Sequence, residues 1–463
     1  MTVDVQKLPT GFGRLWTAQT VSSLGDGVTH AALPLLALTL TRDPMALAVV
    51  TAAGTLPWLL FGVLGGALVD RWDRRRTMWV TDAARAVLLA IPAAAALLDV
   101  LDIALLATVA FLLGLGGLLF DTAATAYLPD LLGRDPVLLE RANSRLRGTQ
   151  TAASGFAGPP AGSALLALGR AVPLFADAVS FALSALLVRS LPAVPRPVPQ
   201  ARESLLRQAR AGASYVFRDR LLLGLALRPA VGNVAFIAVE TVLALFARER
   251  LGIGTFGFGL LLTAEATGGL LGAGIASFLG RRLGTGTALT CTAAVEGLAV
   301  LGLAAAPNAY LAGLALAVCG AGMGATMVLA PSLRQTIVPA HLMGRVASTS
   351  RMLAMCAAPF GAFLGGWLAT AYDIRTPLYA AAGLLLAMTA ITASMTGNRR
   401  VEAALRAAAQ AAAPTAAPAS DPAGAPAGDP DRPESRDPVH EAAVQGSVRS
   451  SGSYGGGPTG TDG

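Results

Sequence analysis

The stretch LGGALVDRWDRRR, residues 64–76, carries the pattern that decides the fold. It closes an apolar run, sets one acid, Asp70, where that run stops, and continues into Arg71, Arg74, Arg75 and Arg76. An apolar run of about 20 residues is long enough to cross a hydrocarbon layer about 30 Å thick. Outward from this stretch, the same alternation of apolar run and basic connector fills most of the chain. Hydrophobic residues make up 54% and charged residues 14% of 463 positions, and the mean hydropathy is +0.59. Soluble domains carry about 25% charged residues, so this chain lacks the groups that cover a water-facing surface. It reads as an all-α polytopic membrane protein.

Twelve spans are predicted, at 15–40, 47–69, 78–98, 103–127, 146–169, 171–191, 221–247, 256–280, 286–306, 309–335, 345–371 and 376–396. The net charge of +7 is not gathered into a nucleic-acid-binding patch; it sits in short connectors. One set of connectors holds Arg14, Arg71 to Arg76, Arg134 to Arg147, Arg196 to Arg220, Arg281, Arg282, Arg334, Arg345, Arg399 and Arg400. The other holds only Arg42, Arg170, Arg248, Arg250 and Arg375. Cytoplasmic loops collect Arg and Lys, which places the first set and both termini in the cytoplasm. Cys291, Cys319 and Cys356 lie within apolar runs, where they read as small packing residues rather than a disulfide framework. Span 1 is expected to act as an uncleaved signal, because residues 1–14 hold no cleavable leader.

The longest internal connector, 192–220, divides the spans six and six and contains ESLLRQARAGASYVF, whose spacing predicts an amphipathic helix on the inner membrane face. The expected domains are therefore 1–14, 15–191, 192–220, 221–396 and a disordered tail over 397–463, rich in Ala, Pro and Gly. Two matches about 205 residues apart point to a duplicated six-helix unit: LGGALVDRWDRRR with LGAGIASFLGRRL (271–283), and LLERANS (138–144) with LMGRVAS (342–348). In the second copy Ser277 stands where Asp70 stands in the first.

With twelve spans around it, Gly66, three residues, Asp70 and Arg71, then Arg74 and Arg75, resembles the signature between the second and third helices of the major facilitator superfamily. Asp73 replaces the family glycine before the basic cluster. The resemblance covers residues 12–397 and implies two pseudo-symmetric six-helix bundles that rock around a central cavity. It also implies that Gly66, Asp70, Arg71, Arg74 and Arg75 latch the outward-facing state; the arginines would hold the cytoplasmic ends together or grip lipid phosphates, and the plainer alternative is positive-inside topology. In span 5, Gly158, Pro159 and Gly162 resemble the core of a motif found in family exporters, with Ser154 in place of its first glycine. Pro removes a backbone hydrogen bond and glycines admit a close neighbour, so a bend at a packed interface is expected. FGRLWTAQTVSSLGDG, YLPDLL, ADAVSFALSALL and RQTIVPAHLMGRVAS are similar to segments of macrolide- and siderophore-type efflux permeases.

A charge at mid-bilayer costs at least about 2.5–3.5 kcal/mol on insertion scales, so each one needs a reason. The resemblance puts spans 1, 4, 7 and 10 around the cavity, which makes Asp26 and His30, Asp121 and Glu240 candidates for substrate or proton contact. Asp26 lies roughly 16 Å into its span, near the midplane, with His30 one turn on. The alternatives are a glycine bend organised by Asp26, a pair of Asp121 with Arg85, and a pair of Glu240 with Arg248. Asp82 and Arg85 read as a local salt bridge, Arg228 as a residue reaching to the inner surface, and Asp177, Glu265 and Glu296 as residues of either helix packing or transport. Span 4 lacks the arginine by which many proton-coupled relatives couple.

No phosphate loop, HExxH or CxxC pattern is present, and His30, His341 and His440 are far apart, so neither an enzyme, a metal site nor a cofactor is expected. The expected function is secondary export of small amphipathic organic compounds, drugs or secondary metabolites, coupled to protons. The setting is the bacterial inner membrane, with lipids as neighbours, no nucleic acid partner and a monomer as the working form. Import of a nutrient by the same fold, or a non-transporting receptor or scaffold, remain the alternatives at this point.

Overall fold

The computed structural model describes residues 9–69, 72–133, 135–192 and 213–412, and its long elements are all helices. In chain order they are α1 (Thr10–Leu40), α2 (Pro44–Val69), α3 (Arg74–Leu97), α4 (Ile103–Leu131) and α5 (Pro136–Gln150). A π-helical stretch, Thr151–Ala157, leads into α6 (Gly158–Leu168), followed by α7 (Val172–Arg189). Then come α8 (Arg220–Glu249), α9 (Thr255–Leu283), α10 (Thr285–Ala305), α11 (Ala309–Ile337), α12 (Ala340–Ala371), α13 (Thr376–Ala393) and α14 (Asn398–Ala412).

Among the described residues, ten helices are long and apolar enough to cross a membrane. The first predicted span, α1, is not among them, because it carries Gln19, Ser22, Ser23, Asp26, Thr29 and His30. Nor is the fifth, which the chain builds in three parts.

Connectors are short and the acids in them start helices. Asp73 accepts a hydrogen bond from the Arg76 N–H at 2.7 Å, and Asp102 from the Leu105 N–H at 2.7 Å. Asp135 and Asp219 do the same for α5 and α8. Each such cap satisfies an N–H that the first helical turn leaves free. The glycine-to-aspartate departure at Asp73 is therefore a helix start.

The helices pack in a repeating order. α1 lies against α6 and α7, α2 against α4, and α3 against α4 and α7. In the same way α8 lies against α12 and α13, α9 against α11, and α10 against α11 and α13. The two sets meet through α2 on α12 and α6 on α9. Glycines set several of these distances. A Cβ on Gly268 or Gly272 of α9 would run into the Ala317 or Ala321 carbonyl of α11.

Burial differs between the two ends of the molecule. At the end away from the arginine-rich connectors, one continuous apolar core joins both sets, from Leu35 and Leu36 of α1 to Val242 and Phe246 of α8 and Leu378 of α13. At the arginine-rich end the core is split in two. One part gathers Phe12, Leu15, Phe120 and Tyr127, and the other Leu221, Leu225, Leu329 and Leu333.

The expected disordered tail is corrected at its start, where residues 398–412 form α14. Alanine is the best helix former, and Val401, Ala404 and Leu405 make one apolar stripe that closes on the second split core. Asn398 fixes the helix start, donating to the Leu283 carbonyl at 2.8 Å and accepting from the Thr287 N–H at 2.9 Å. The amphipathic helix expected in the central connector and the rest of the tail, 413–463, lie outside the described residues.

Gly272→Val should lower the thermal unfolding temperature of the purified protein, since overpacking of this kind costs about 1–3 kcal/mol. A wild-type melting curve for that variant would contradict the close α9–α11 approach.

Candidate functional site

Between the two helix sets lies a cavity of about 1190 Å³. Its wall near the arginine-rich end includes Pro129, Asn143, Arg147, Pro331 and Arg334, and its deepest part includes Leu33, Pro34, Ala37 and Leu47. Thus it runs from the end with the split core towards the end with the shared core. All four residues singled out from the sequence, Asp26, His30, Asp121 and Glu240, line it. α1, α4, α8 and α11 contribute, and so do α2 with Trp58, α5 with Asn143, and α12 with Ser350 and Arg351.

α1 passes Asp26 as an uninterrupted helix, so the glycines beside Asp26 serve approach rather than bending. Gly25 faces Asp177 and Ser180 of α7, and Gly27 faces Ser154 and Gly158 across the α1–α6 contact. That contact leaves Asp26 at the cavity wall with its side chain 45% exposed. Its Oδ1 accepts a hydrogen bond from Arg85 Nη2 at 2.7 Å. The Arg85 guanidinium also lies 3.8 Å over the Phe181 ring of α7, which adds a cation–π contact. Asp82, expected to hold Arg85, is the more distant carboxylate at 3.8 Å, and its Oδ2 accepts from Ser184 at 2.5 Å. Asp177 accepts from Thr29 at 2.5 Å and Ser180 at 2.9 Å.

His30 and Glu240 meet across the two helix sets, with Nδ1 3.4 Å from Oε1. Neither the Arg248 pairing considered for Glu240 nor the Arg85 pairing considered for Asp121 is the arrangement found. Asp121 shares the cavity wall with Arg85 and Arg351. Arg351 lies 5.2 Å over the Trp58 ring, joining α12 to α2.

Arg228 corrects the expectation that it reaches to the inner surface. Its side chain is only 13% exposed and donates to the Leu289 carbonyl at 2.5 Å, to Thr326 at 2.8 Å, to Thr292 at 3.2 Å and to Glu296 at 3.3 Å. A carboxylate and two hydroxyls supplied by α10 and α11 make that burial tolerable, and long side chains snorkel only where such partners are missing. Glu296 gave no pairing signal in sequence, because its partner is 68 residues away.

Arg74 pairs with Asp130 and donates to the Ala126 carbonyl at 3.1 Å, while Arg75 donates to the Leu191 carbonyl at 2.7 Å. These bonds stay within the first helix set. Gly66 lies in α2, and Asp70 and Arg71 lie outside the described residues.

At the expected bend in the fifth element, the π-helical stretch Thr151–Ala157 directly precedes Gly158 and Pro159. A wider turn accommodates a proline that has no N–H to give, and such turns are a recognised source of helix kinks. Gly158 faces Gly27 and Gly162 faces the Val28 carbonyl, so this break is pressed against α1 one residue past Asp26.

Over residues 9–424 the sequence matches the major facilitator family described as transmembrane secretion effector. The chain belongs to this family. It is 28% identical over 396 residues to the multidrug efflux pump Tap of Mycolicibacterium fortuitum, an alignment that covers 84% of this chain and 96% of the pump. Among solved structures, a bacterial homologue of the iron transporter ferroportin in an inward-facing state superposes with a TM-score of 0.69 at 17% identity. That match covers 85% of this chain and all of the homologue. The nucleoside transporter NupG superposes with a TM-score of 0.67 at 16% identity, over 84% of this chain and all of NupG. At such identities the superpositions establish the major facilitator fold. The chain is a multi-pass membrane transporter and not an enzyme.

Arg228→Ala should cost about 3–5 kcal/mol by leaving Glu296 buried without its cation. Replacing both partners with apolar residues, Arg228→Met with Glu296→Leu, should restore most of the loss. Melting curves of the three variants decide this, and an Arg228→Ala protein as stable as wild type would contradict the pairing.

Proposed function

We propose that this transporter exports small amphipathic organic compounds by alternating access, driven by protons. The observation that carries the proposal is the asymmetry of the core: the helix sets are sealed together at one end and separate around a mixed polar and apolar cavity at the other. An amphipathic compound finds there both apolar surface, from Leu33, Phe120 and Trp58, and carboxylates at Asp26, Asp121 and Glu240. Kinship with multidrug efflux pumps favours outward transport of such compounds over import.

In this reading twelve helices cross the bacterial plasma membrane as bundles 15–191 and 221–396, with both termini cytoplasmic. The cavity then faces the cytoplasm, where substrate is collected. Asp26, His30, Asp121 and Glu240 meet substrate or protons. The His30–Glu240 contact joins the bundles near the sealed end, so outward opening must part it. Gly66, Asp70, Arg71, Arg74 and Arg75 latch the opposite state, and the Gly158–Pro159–Gly162 break lets the fifth span flex at the bundle interface. A single chain suffices, with lipid as its surroundings.

In cells stripped of their own pumps, expression should lower ethidium or macrolide accumulation several-fold, and an uncoupler should restore it. Unchanged accumulation across a broad panel, with the protein present in the membrane, would sink the export reading. Asp26→Asn should abolish flux driven by a pH gradient, and wild-type flux in that variant would remove Asp26 from the coupling scheme.

A further inference from the structure

At the cavity wall, and with Asp82 behind it, α1, α3 and α7 gather three carboxyl groups, Asp26, Asp82 and Asp177, around one guanidinium, Arg85. Asp82 and Asp177 are 0% and 1% exposed. Arg85 gives its short bond to Asp26, at 2.7 Å, and stands 3.8 Å from Asp82 Oδ1, beyond hydrogen-bond distance. Asp82 therefore has Ser184 on one oxygen, while its Oδ1 is buried without a hydrogen-bond partner. A buried carboxylate with one hydroxyl donor, and a cation at 3.8 Å that gives its short bond elsewhere, is more costly than a buried carboxylic acid. The acid form also supplies an O–H. The charged groups facing Asp82 are Asp26 of α1 and Asp121 of α4, with Arg85 on α3 itself; Asp177 of α7 faces Asp26 and Arg85, and Arg351 of α12 faces Asp121. Asp26, Asp82 and Asp177 outnumber Arg85, so the cluster calls for added positive charge. A proton on the buried oxygen of Asp82 supplies that charge and also a donor at an atom that has no hydrogen-bond partner.

We propose that Asp82 and Asp26 share one proton across Arg85, so that Asp82 is a proton-binding site concealed from the cavity. In the arrangement seen, Asp26 is ionised on Arg85 and Asp82 carries the proton. When Asp26 is protonated, Arg85 moves the short distance to Asp82, which ionises; the proton that Asp82 gives up is the one that Asp26 takes. No proton is added or lost in this exchange, so the total charge of the cluster is unchanged. Phe181 holds the face of the guanidinium through this movement, so Arg85 only re-aims its N–H groups. The cavity-facing acid thereby reports its state to a residue that substrate cannot touch. The proposal rests on the coupling role given to Asp26 above.

Infrared titration of the full-length protein in lipid tests it without any substrate, through the carbonyl band of protonated carboxylic acids. At neutral pH, Asp82→Asn should lose one acid's worth of that band. Asp26→Asn should lose the same component although Asp82 is still present, because Arg85 then pairs with Asp82. The double variant should lose no more than either single one. Ser184→Ala, a smaller change, should shift the frequency of the component and keep its intensity. A wild-type band in Asp82→Asn, or an Asp82 component that survives Asp26→Asn, would overturn the proposal; so would an unshifted component in Ser184→Ala. Ethidium flux in everted vesicles separates the two readings. The component without pH-driven flux upholds the proton site and defeats export, whereas flux without the component does the reverse.

Discussion

A charged side chain in a hydrocarbon layer has to find its counter-charge inside the protein, and much of this molecule follows from how it does so. Asp26 reaches Arg85, Arg228 reaches Glu296 and Thr326, and His30 reaches Glu240. Each pair ties helices far apart in the chain. The first joins α1 to α3, the second α8 to α10 and α11, and the third crosses between the helix sets. With about 2.5–3.5 kcal/mol or more at stake for each lone charge, these ties limit which helix rotations are open to the fold. Elsewhere small residues bring helices together, and glycine-on-carbonyl packing gives those contacts their closeness.

Much of the architecture was legible because it is written locally. Apolar runs of membrane-crossing length, arginines in alternate connectors and capping aspartates at helix starts all lie within a few residues of the structure they specify. Residues 64–76 were informative for that reason, since end of span, connector and start of the next helix are contiguous there. Asp73 shows the limit of pattern matching: as a departure from a family glycine it was unexplained, and as an N-cap it is ordinary chemistry. The start of α14 was hidden because an alanine-rich segment reads equally as low complexity and as helix until its Val401 face meets a core to bury in.

The polar site was less legible, because its partners are set by tertiary packing. Asp26 was visible as a misplaced charge and Arg85 as a neighbour of Asp82. Only the packing of both α1 and α3 on α7, which Gly25 permits on the α1 side, brings the long Arg85 side chain to Asp26. Arg228 carried a signal that pointed the wrong way, since depth in a span reads as snorkelling when the partners lie 61 to 98 residues further on. The meeting of His30 with Glu240 was likewise out of reach, although each residue was singled out alone.

The two ends of the molecule are built with different chemistry, and the difference has a thermal consequence. The sealed end is held by apolar side chains from both helix sets, Leu36, Val242 and Phe246 among them. Burial of such surface is entropic near room temperature and weakens on cooling. At the arginine-rich end the guanidinium and carbonyl contacts of Arg74 and Arg75 lie within the first helix set, and their strength does not follow that heat-capacity term. Cooling therefore weakens the grip of one helix set on the other more than it weakens the polar build of the first set itself.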